Sequence, residues 1–591
     1  MHMSELTISI VGSGGDGAVA AGDILSMACA RDGLHVIKTE AYGPQIRGGE
    51  SSCTVRISGT PIHAQADVVD ALVVFSWADF ARFRSEIALA PDAFVLHELA
   101  DPAPDEISSG VTRRMIAVPF NAMAKEVGAP NGKNVLALGM LGELFGLPVA
   151  AIRSAVAHRF GKKSQAVIEA NLKAFDRGVE CVGQAPSPVP ELAEAKRQAR
   201  APVLHDAKGP AHLLMSGNEA SAVAAIDAGC RFFAGYPITP SSEVLHFLGD
   251  WLPRIGGSTL QTEDELAAIG AVIGGSFAGV KSMTATSGPG LSLMAEMIGL
   301  ASIAEIPAVV INVQRGGPST GIPTKSEQSD LMHALYASHG DTPRVVIACT
   351  DVEDSYHATV DAFNIAEEYQ LPVNMLSDQS IAQCRQTLAA ESLEHEVVER
   401  RIEHERGDYK RYRQTDDGVS PMSIPGMPGT MYQTNGLEHD EQGRPSSMHV
   451  VHERMNEKRY RKLDAIAKKY RLFTRFGPEK AELGILCWGS SAGPVREAIE
   501  KLNAEGMKVA AFVPRILMPL PVKELEDFIA ACDELLVMEL SYSQQFYSYL
   551  RTQVDLPRNR TRVYARSGGS ALRVCEVIDQ VKRYAAREVT A

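Results

Sequence analysis

What this chain does without narrows its role before any motif is read. None of its nine cysteines is spaced as Cys-x-x-Cys, and they lie scattered from Cys29 to Cys575. That excludes a zinc ribbon, a redox dithiol or a cysteine-held iron–sulfur cluster on this chain, and leaves the thiols as reduced core residues. No apolar run approaches the ~18 residues that cross a bilayer. Residues 1–6 have no basic stretch leading into an apolar core, so no secretory signal is expected and the expected compartment is cytoplasmic. No basic block offsets the formal net charge of −14, which argues against a nucleic-acid binder. What is present is ordinary for a globular protein: 45% hydrophobic and 22% charged residues. At 591 residues, and with ~150 residues per domain as a prior, about four domains are expected.

Residues 235–330 hold four turn-rich loops set into an alternating strand and helix pattern. They are Gly235-Tyr236-Pro237-Ile238-Thr239-Pro240-Ser241-Ser242, then Gln261-Thr262-Glu263-Asp264-Glu265, then Thr284-Ala285-Thr286-Ser287-Gly288-Pro289-Gly290, and finally the stretch from Gln314-Arg315-Gly316-Gly317 to Thr324-Lys325. In an open parallel sheet the loops that follow the strands meet at one edge, where ligands bind. Pro237 and Pro240 stiffen the backbone around Thr239, and Ser241 or Ser242 is placed to cap the next helix. Glu265 opens an apolar helix, so a half-buried carboxyl with a raised pKa is expected there, able to share a proton with a ring nitrogen. Ser287 to Gly290 offers backbone N–H groups at a helix start. Arg315, after the strand at 308–313, can grip a carboxylate in bidentate fashion. Seen singly, such a Glu is ordinarily a dipole-compensating residue and such an Arg a solvated charge; their joint order is what carries meaning.

That order resembles the pyrimidine-binding domain of the alpha subunits of 2-oxoacid:ferredoxin oxidoreductases, thiamine diphosphate enzymes, and is most similar to the 2-oxoglutarate type. The expected fold is multidomain α/β. It comprises a gamma-type domain (1–183), a linker (184–205), a pyrimidine-type thiamine diphosphate domain (206–385), a linking insertion (386–477) and a transketolase C-terminal-like domain (478–591).

Residues 6–17 admit two readings. A strand running into Gly12-Ser13-Gly14-Gly15-Asp16-Gly17 and a helix, with Glu40 farther on, matches a dinucleotide fingerprint in spacing. Together with Tyr42-Gly43-Pro44-Gln45-Ile46-Arg47-Gly48-Gly49, the same glycines resemble the gamma domain of these oxidoreductases. There the resemblance implies coenzyme A contacts at Gly14, Gly15 and Arg47. The proline-bearing stretch 184–203 reads as an extended linker with a short exposed helix. Residues 394–413 read as a solvated helix, and 453–475 as a helix with a wet basic face. Beyond residue 481 strands and helices alternate again, and Gly489-Ser490-Ser491 looks in isolation like a phosphate loop.

The resemblance implies oxidative decarboxylation of a 2-oxoacid with coenzyme A as acyl acceptor and ferredoxin as electron acceptor. It puts Glu265, rather than Glu263 or Asp264, on N1′ of the thiamine aminopyrimidine, and Pro237 against the ring. Thr239 and Arg315 would bind the substrate's 1-carboxylate and 2-oxo group, and Thr324 and Lys325 a second carboxylate. In that family a Gly-Asp-Gly stretch with an Asn downstream holds the diphosphate; Gly14-Gly15-Asp16-Gly17 contains the short piece, but it lies in the gamma-like domain and the downstream Asn is missing. A beta subunit is therefore expected to supply the diphosphate site, Mg²⁺ and a 4Fe–4S cluster, with thiamine diphosphate shared at the interface of an (alpha-beta)₂ assembly. No metal site is expected on this chain. The rival readings are a branched-chain or other 2-oxoacid enzyme, a NAD(P)-binding regulatory subunit, and a transketolase-like half-enzyme without ferredoxin.

Overall fold

The computed structural model describes residues 5–43, 49–108, 114–183, 189–198, 210–404 and 407–588. They form two compact units, one of residues 1–215 with 384–392, the other of 216–383 with 393–591.

The first unit is built on an eight-stranded mixed sheet. Its order is Arg114–Val118, Leu89–Glu98, Val69–Val74, Glu5–Ser13, Glu50–Ser58, His35–Tyr42, Arg385–Leu388 and Leu213–Ser216. The strand Glu5–Ser13 has a parallel neighbour on one side only, and Glu50–Ser58 runs antiparallel to it on the other. A dinucleotide fold needs the second strand beside the first and parallel to it. Here His35–Tyr42 pairs with Glu50–Ser58 instead, and the Glu40 carboxylate is taken by Lys38 and the Tyr42 hydroxyl. The NAD(P) reading fails on that topology. Two helices, Lys133–Phe145 and Gln165–Gly183, pack backbone to backbone. A Cβ on Gly139 would lie 2.2 Å from the Phe175 carbonyl, and one on Gly178 2.1 Å from that of Leu136. The helix Pro190–Gln198, expected to be exposed, buries Leu192 and Ala195 in this unit's core. Their three-residue spacing gives it an apolar stripe.

The second unit holds two sheets, each parallel except for one antiparallel edge strand. The larger runs Ile516–Met518, Val345–Ala348, Pro372–Asp378, Ala308–Gln314, Ser282–Thr286, Phe232–Gly235 and Ser258–Gln261, parallel except for the first. Its central strands are buried along their whole length, as near-continuous apolar runs in a sheet covered on both faces should be. The smaller sheet is Phe473–Phe476, Val509–Pro514, Ala481–Leu486, Cys532–Glu539 and Thr561–Ala565. Ile516–Met518 leaves this layer to form the antiparallel edge of the larger sheet, and the two share one apolar core through Trp488, Phe512 and Leu517.

Residues 394–404 and 407–413 are not helical. Most of their charges stay exposed, but Arg400 and Arg411 turn inward: Arg400 makes a bidentate pair with Glu367 at 2.6 and 2.8 Å, both buried, and Asn364 fixes the extended backbone at Glu396 and Val398. The helix His449–Lys469 forms, but its basic face is wet only in part, at Lys468 and Lys469. Lys458, Arg459 and Lys462 are buried, and Lys458 and Lys462 both reach the carboxylate of Glu305, at 2.7 and 2.6 Å. Among the described residues, no helix is long and apolar enough to cross a membrane.

Candidate active site

The loops that follow Phe232–Gly235, Ser258–Gln261, Ser282–Thr286 and Ala308–Gln314 leave the same edge of the larger sheet, because these strands are parallel. Asp264 stands at the N-cap of the helix Glu265–Phe277, its side chain accepting from the Ala267 N–H at 2.8 Å. Capping thus uses one of the three neighbouring acids. Glu263 is exposed. Glu265 alone turns inward and is 5% exposed. Burial pushes its carboxyl above the usual carboxylate range, against the opposing hydrogen bonds from its own N–H and the Thr286 hydroxyl.

Glu265 lies against the start of the helix Gly288–Ile303. A Cβ on Gly290 would fall 2.5 Å from Glu265 Oε1 and 2.0 Å from Thr286 Oγ1. Two residues earlier, a Cβ on Gly288 would fall 2.8 Å from a carboxylate oxygen of Asp330. The two glycines therefore make room for two carboxyls at a single helix N-terminus, where the helix dipole favours negative charge. Asp330 accepts from Asn312 Nδ2 at 2.9 Å, and burial raises its pKa. It also opposes the desolvation that lowers the pKa of Arg315.

Arg315, 7% exposed, donates through Nη1 to the carbonyl oxygen of Thr239. That bond brings the fourth loop onto the first. Arg315 Nε and Ser287 Oγ are buried without a protein partner among the described residues. Pro237 and Thr239 are partly exposed. Ser241 occupies the N-cap of Ser242–Trp251, but its hydroxyl donates back to the Ile238 carbonyl at 3.0 Å and caps nothing. Beyond Arg315 the chain closes on itself: Ile322 donates to Gly316 O at 2.7 Å and Gly316 to Lys325 O at 2.9 Å, leaving 317–322 as an exposed tip. Thr324 and Lys325 lie at the base of this loop, both partly buried.

Two other motifs resolve differently. The space over Gly489 is filled by Gln328, whose Nε2 donates to Trp488 O at 2.7 Å and whose Oε1 accepts from Ser491 at 3.3 Å. That loop is a joint, with no open phosphate cradle. In the first unit Gly14 and Gly15 are exposed in the turn before the helix Ala18–Arg31. Asp16 in that turn is neutralised by Lys133 at 2.6 Å and accepts from Ser13 N at 3.0 Å. Arg47 lies outside the described residues. Asp330 was invisible to motif reading: an acid before an apolar helix is an ordinary N-terminal signal, and only the fold puts it against Gly288.

Three family models match the chain: pyruvate ferredoxin/flavodoxin oxidoreductase over residues 7–181, the thiamine diphosphate-binding model of pyruvate flavodoxin/ferredoxin oxidoreductase over 223–458, and core domain II of pyruvate:ferredoxin oxidoreductase over 481–577. The 2-oxoacid:ferredoxin oxidoreductase 2 alpha subunit of Aeropyrum pernix is 29% identical over 98% of both chains. The KorA subunit of 2-oxoglutarate synthase from Archaeoglobus fulgidus is 40% identical, over 56% of this chain and 88% of its own. A solved 2-oxoglutarate:ferredoxin oxidoreductase from Magnetococcus marinus, with 2-oxoglutarate, coenzyme A and succinyl-CoA bound, superposes with a TM-score of 0.90 at 38% identity, covering 98% of this chain and 99% of that one. The likeness runs through both units, and the chain belongs to the family of 2-oxoacid:ferredoxin oxidoreductase alpha subunits.

Proposed function

We propose that this chain is the alpha subunit of a 2-oxoglutarate:ferredoxin oxidoreductase. The reaction interconverts 2-oxoglutarate and coenzyme A with succinyl-CoA, CO₂ and a proton, and passes two electrons singly to ferredoxin. A beta subunit would carry the diphosphate site, Mg²⁺ and a 4Fe–4S cluster, in an (alpha-beta)₂ assembly. The observation that carries the reading is the buried carboxyl of Glu265, held over Gly290 where a Cβ would strike it. Such a cradle fits an aminopyrimidine ring: it offers one carboxyl with a raised proton affinity and excludes water from it. Thiamine diphosphate, when bound, supplies the carbon nucleophile and the electron sink that let a 2-oxoacid lose CO₂.

The chain's own residues do the rest. Glu265 holds a proton at its carboxyl and exchanges it with the ring nitrogen N1′. Pro237 lines the ring. Arg315, fixed by the Thr239 carbonyl and with its Nε unpartnered, grips the 1-carboxylate together with Thr239 and orients the keto carbon. Thr324 and Lys325 reach the distal carboxylate.

The test is turnover of the chain co-expressed with its genomic neighbour, assayed anaerobically with coenzyme A and a viologen. Reduction with 2-oxoglutarate in clear preference to pyruvate and 2-oxoisovalerate is expected, and none by the isolated chain. Activity confined to 2-oxoisovalerate would replace the substrate assignment with the branched-chain one.

In the first unit, Gly14 and Gly15, with Arg47, are assigned to coenzyme A phosphates at the N-terminus of Ala18–Arg31. Gly15 has open space above it, so a side chain fits. Gly15→Asp should raise the KM for coenzyme A roughly fivefold, as ~1 kcal/mol of Coulomb repulsion implies, and leave that for 2-oxoglutarate unchanged.

A further inference from the structure

Before it returns to its own sheet, the loop carrying Thr324 and Lys325 is docked by its base on the C-terminal layer. Ser326 N donates to Gly569 O at 3.3 Å, and Gly568 N donates to Glu327 Oε1 at 3.0 Å. Gln328 N donates to Leu540 O at 2.7 Å, and Leu540 N returns a bond to Gln328 Oε1 at 3.0 Å. Gly568 and Gly569 form the turn after the strand Thr561–Ala565, both with positive φ.

Gly569 lies directly on Lys325. A Cβ there would fall 2.4 Å from Lys325 Cβ and 3.0 Å from its Cγ. A side chain can swing its far end away from such a contact, but Cβ moves only with the backbone. Displacing Lys325 displaces its carbonyl, which accepts from Gly316, the residue next to Arg315. Gly568 differs: it shares the positive φ, but a Cβ on it would meet nothing within 4 Å.

We propose that the Gly568–Gly569 turn of the C-terminal layer is a positioning element for Lys325, and that it sets the preference for dicarboxylic over monocarboxylic 2-oxoacids. This rests on the assignment of Lys325 to the distal carboxylate. The space left by the missing Cβ of Gly569 decides where the lysine stem starts, and so how far its ammonium reaches.

The experiment compares kcat/KM for 2-oxoglutarate and 2-oxobutyrate in the assembled complex. Gly569→Ala should lower the ratio by roughly ten- to a hundredfold, as a misplaced contact of about 1 Å does, through the KM for 2-oxoglutarate. Gly568→Ala, at φ +110° against +73° for Gly569, strains the turn at least as much but without the contact, and should keep the wild-type ratio. Should Gly569→Ala fail to assemble, Glu327→Ala decides. It frees the turn without overpacking and should shift the ratio in the same direction. A wild-type ratio in Gly569→Ala, or in Glu327→Ala where the first variant does not assemble, overturns the proposal. So does an equal fall in Gly568→Ala. Lys325→Met separates the two levels: if it leaves the preference for 2-oxoglutarate intact, the assignment of Lys325 fails. If it abolishes the preference while Gly569→Ala does not change it, only the positioning role fails.

Discussion

Glu265→Gln should lower kcat by about 10²–10⁴-fold, the usual cost of losing a positioned proton-transfer group, while the complex stays assembled. Gln has nearly the shape of Glu, so it fits the space left by Gly290 and keeps its contact with Thr286. What it loses is the ability to hold or give up a proton. The sign of the pKa shift separates this loss from unfolding. Burial raises the folded-state pKa of Glu265 above its unfolded value. Stability from this group is therefore present at low pH and falls as pH rises through the unfolded pKa toward the folded one. At neutral pH an ionised Glu265 costs stability, so Glu265→Gln should melt at the wild-type temperature or slightly above it. The acid limb of the wild-type rate profile should also lie above the ordinary carboxylate range and vanish in the variant. A variant that keeps more than a tenth of wild-type kcat would remove Glu265 from the chemistry. One that melts well below wild type would make its role structural.

The strands of the larger sheet could be read from sequence because they are mostly apolar runs bounded by turn residues. Residues 308–313, for instance, read as a strand and lie within Ala308–Gln314. The four loops could be located for the same reason, since Pro and Gly cluster where strands end. What joins them was not legible. That Arg315 would seek the Thr239 carbonyl, 76 residues away, follows from strand order, which no local pattern encodes. The same holds for Gly569 against Lys325 and for residues 384–392 returning to the first unit's sheet. The charged stretches failed for a different reason. Runs rich in Lys, Arg and Glu read as solvated surface because burying a charge is costly. That rule assumes an unpaired charge, and Arg400 with Glu367 and Lys458 with Glu305 are paired.

Glu305→Gln should destabilise the second unit by about 3–5 kcal/mol near neutral pH, the cost of stranding a buried charge whose partner is gone. Burial alone would raise the pKa of Glu305, but Lys458, Lys462 and Arg411 outweigh it and hold the carboxylate well below its usual range. Two lysines share one carboxylate, with Arg411 on the backbone carbonyl of the same residue, and the surplus falls on Lys462: burial lowers its pKa to about 7, with Glu305 resisting and Lys458 adding to the fall. Each shift has its own pH window. The Glu305 contribution is complete above its unfolded pKa and is lost as pH falls through the folded one. Lys462 binds protons more weakly in the fold than unfolded, so stability rises with pH from about 7 toward the ordinary lysine range. Without the Glu305 carboxylate both lysines should release protons more readily still. The variant sheds its lysine protons at lower pH than wild type, where Lys462 gives up its proton only around pH 7, so the melting deficit of Glu305→Gln against wild type should be larger at about pH 6 than at about pH 8. A deficit that is the same at both values would mean that the loss comes from packing. Arg411 and Tyr412 also donate to the Glu305 and Ala304 carbonyls just past the helix Gly288–Ile303. The cluster thus anchors the far end of the helix whose first turn holds Gly288 and Gly290 against Asp330 and Glu265. Loosening it should lower kcat alongside stability, whereas Lys462→Met, which keeps the bonds of Lys458 and Arg411 to Glu305, should leave kcat near wild type.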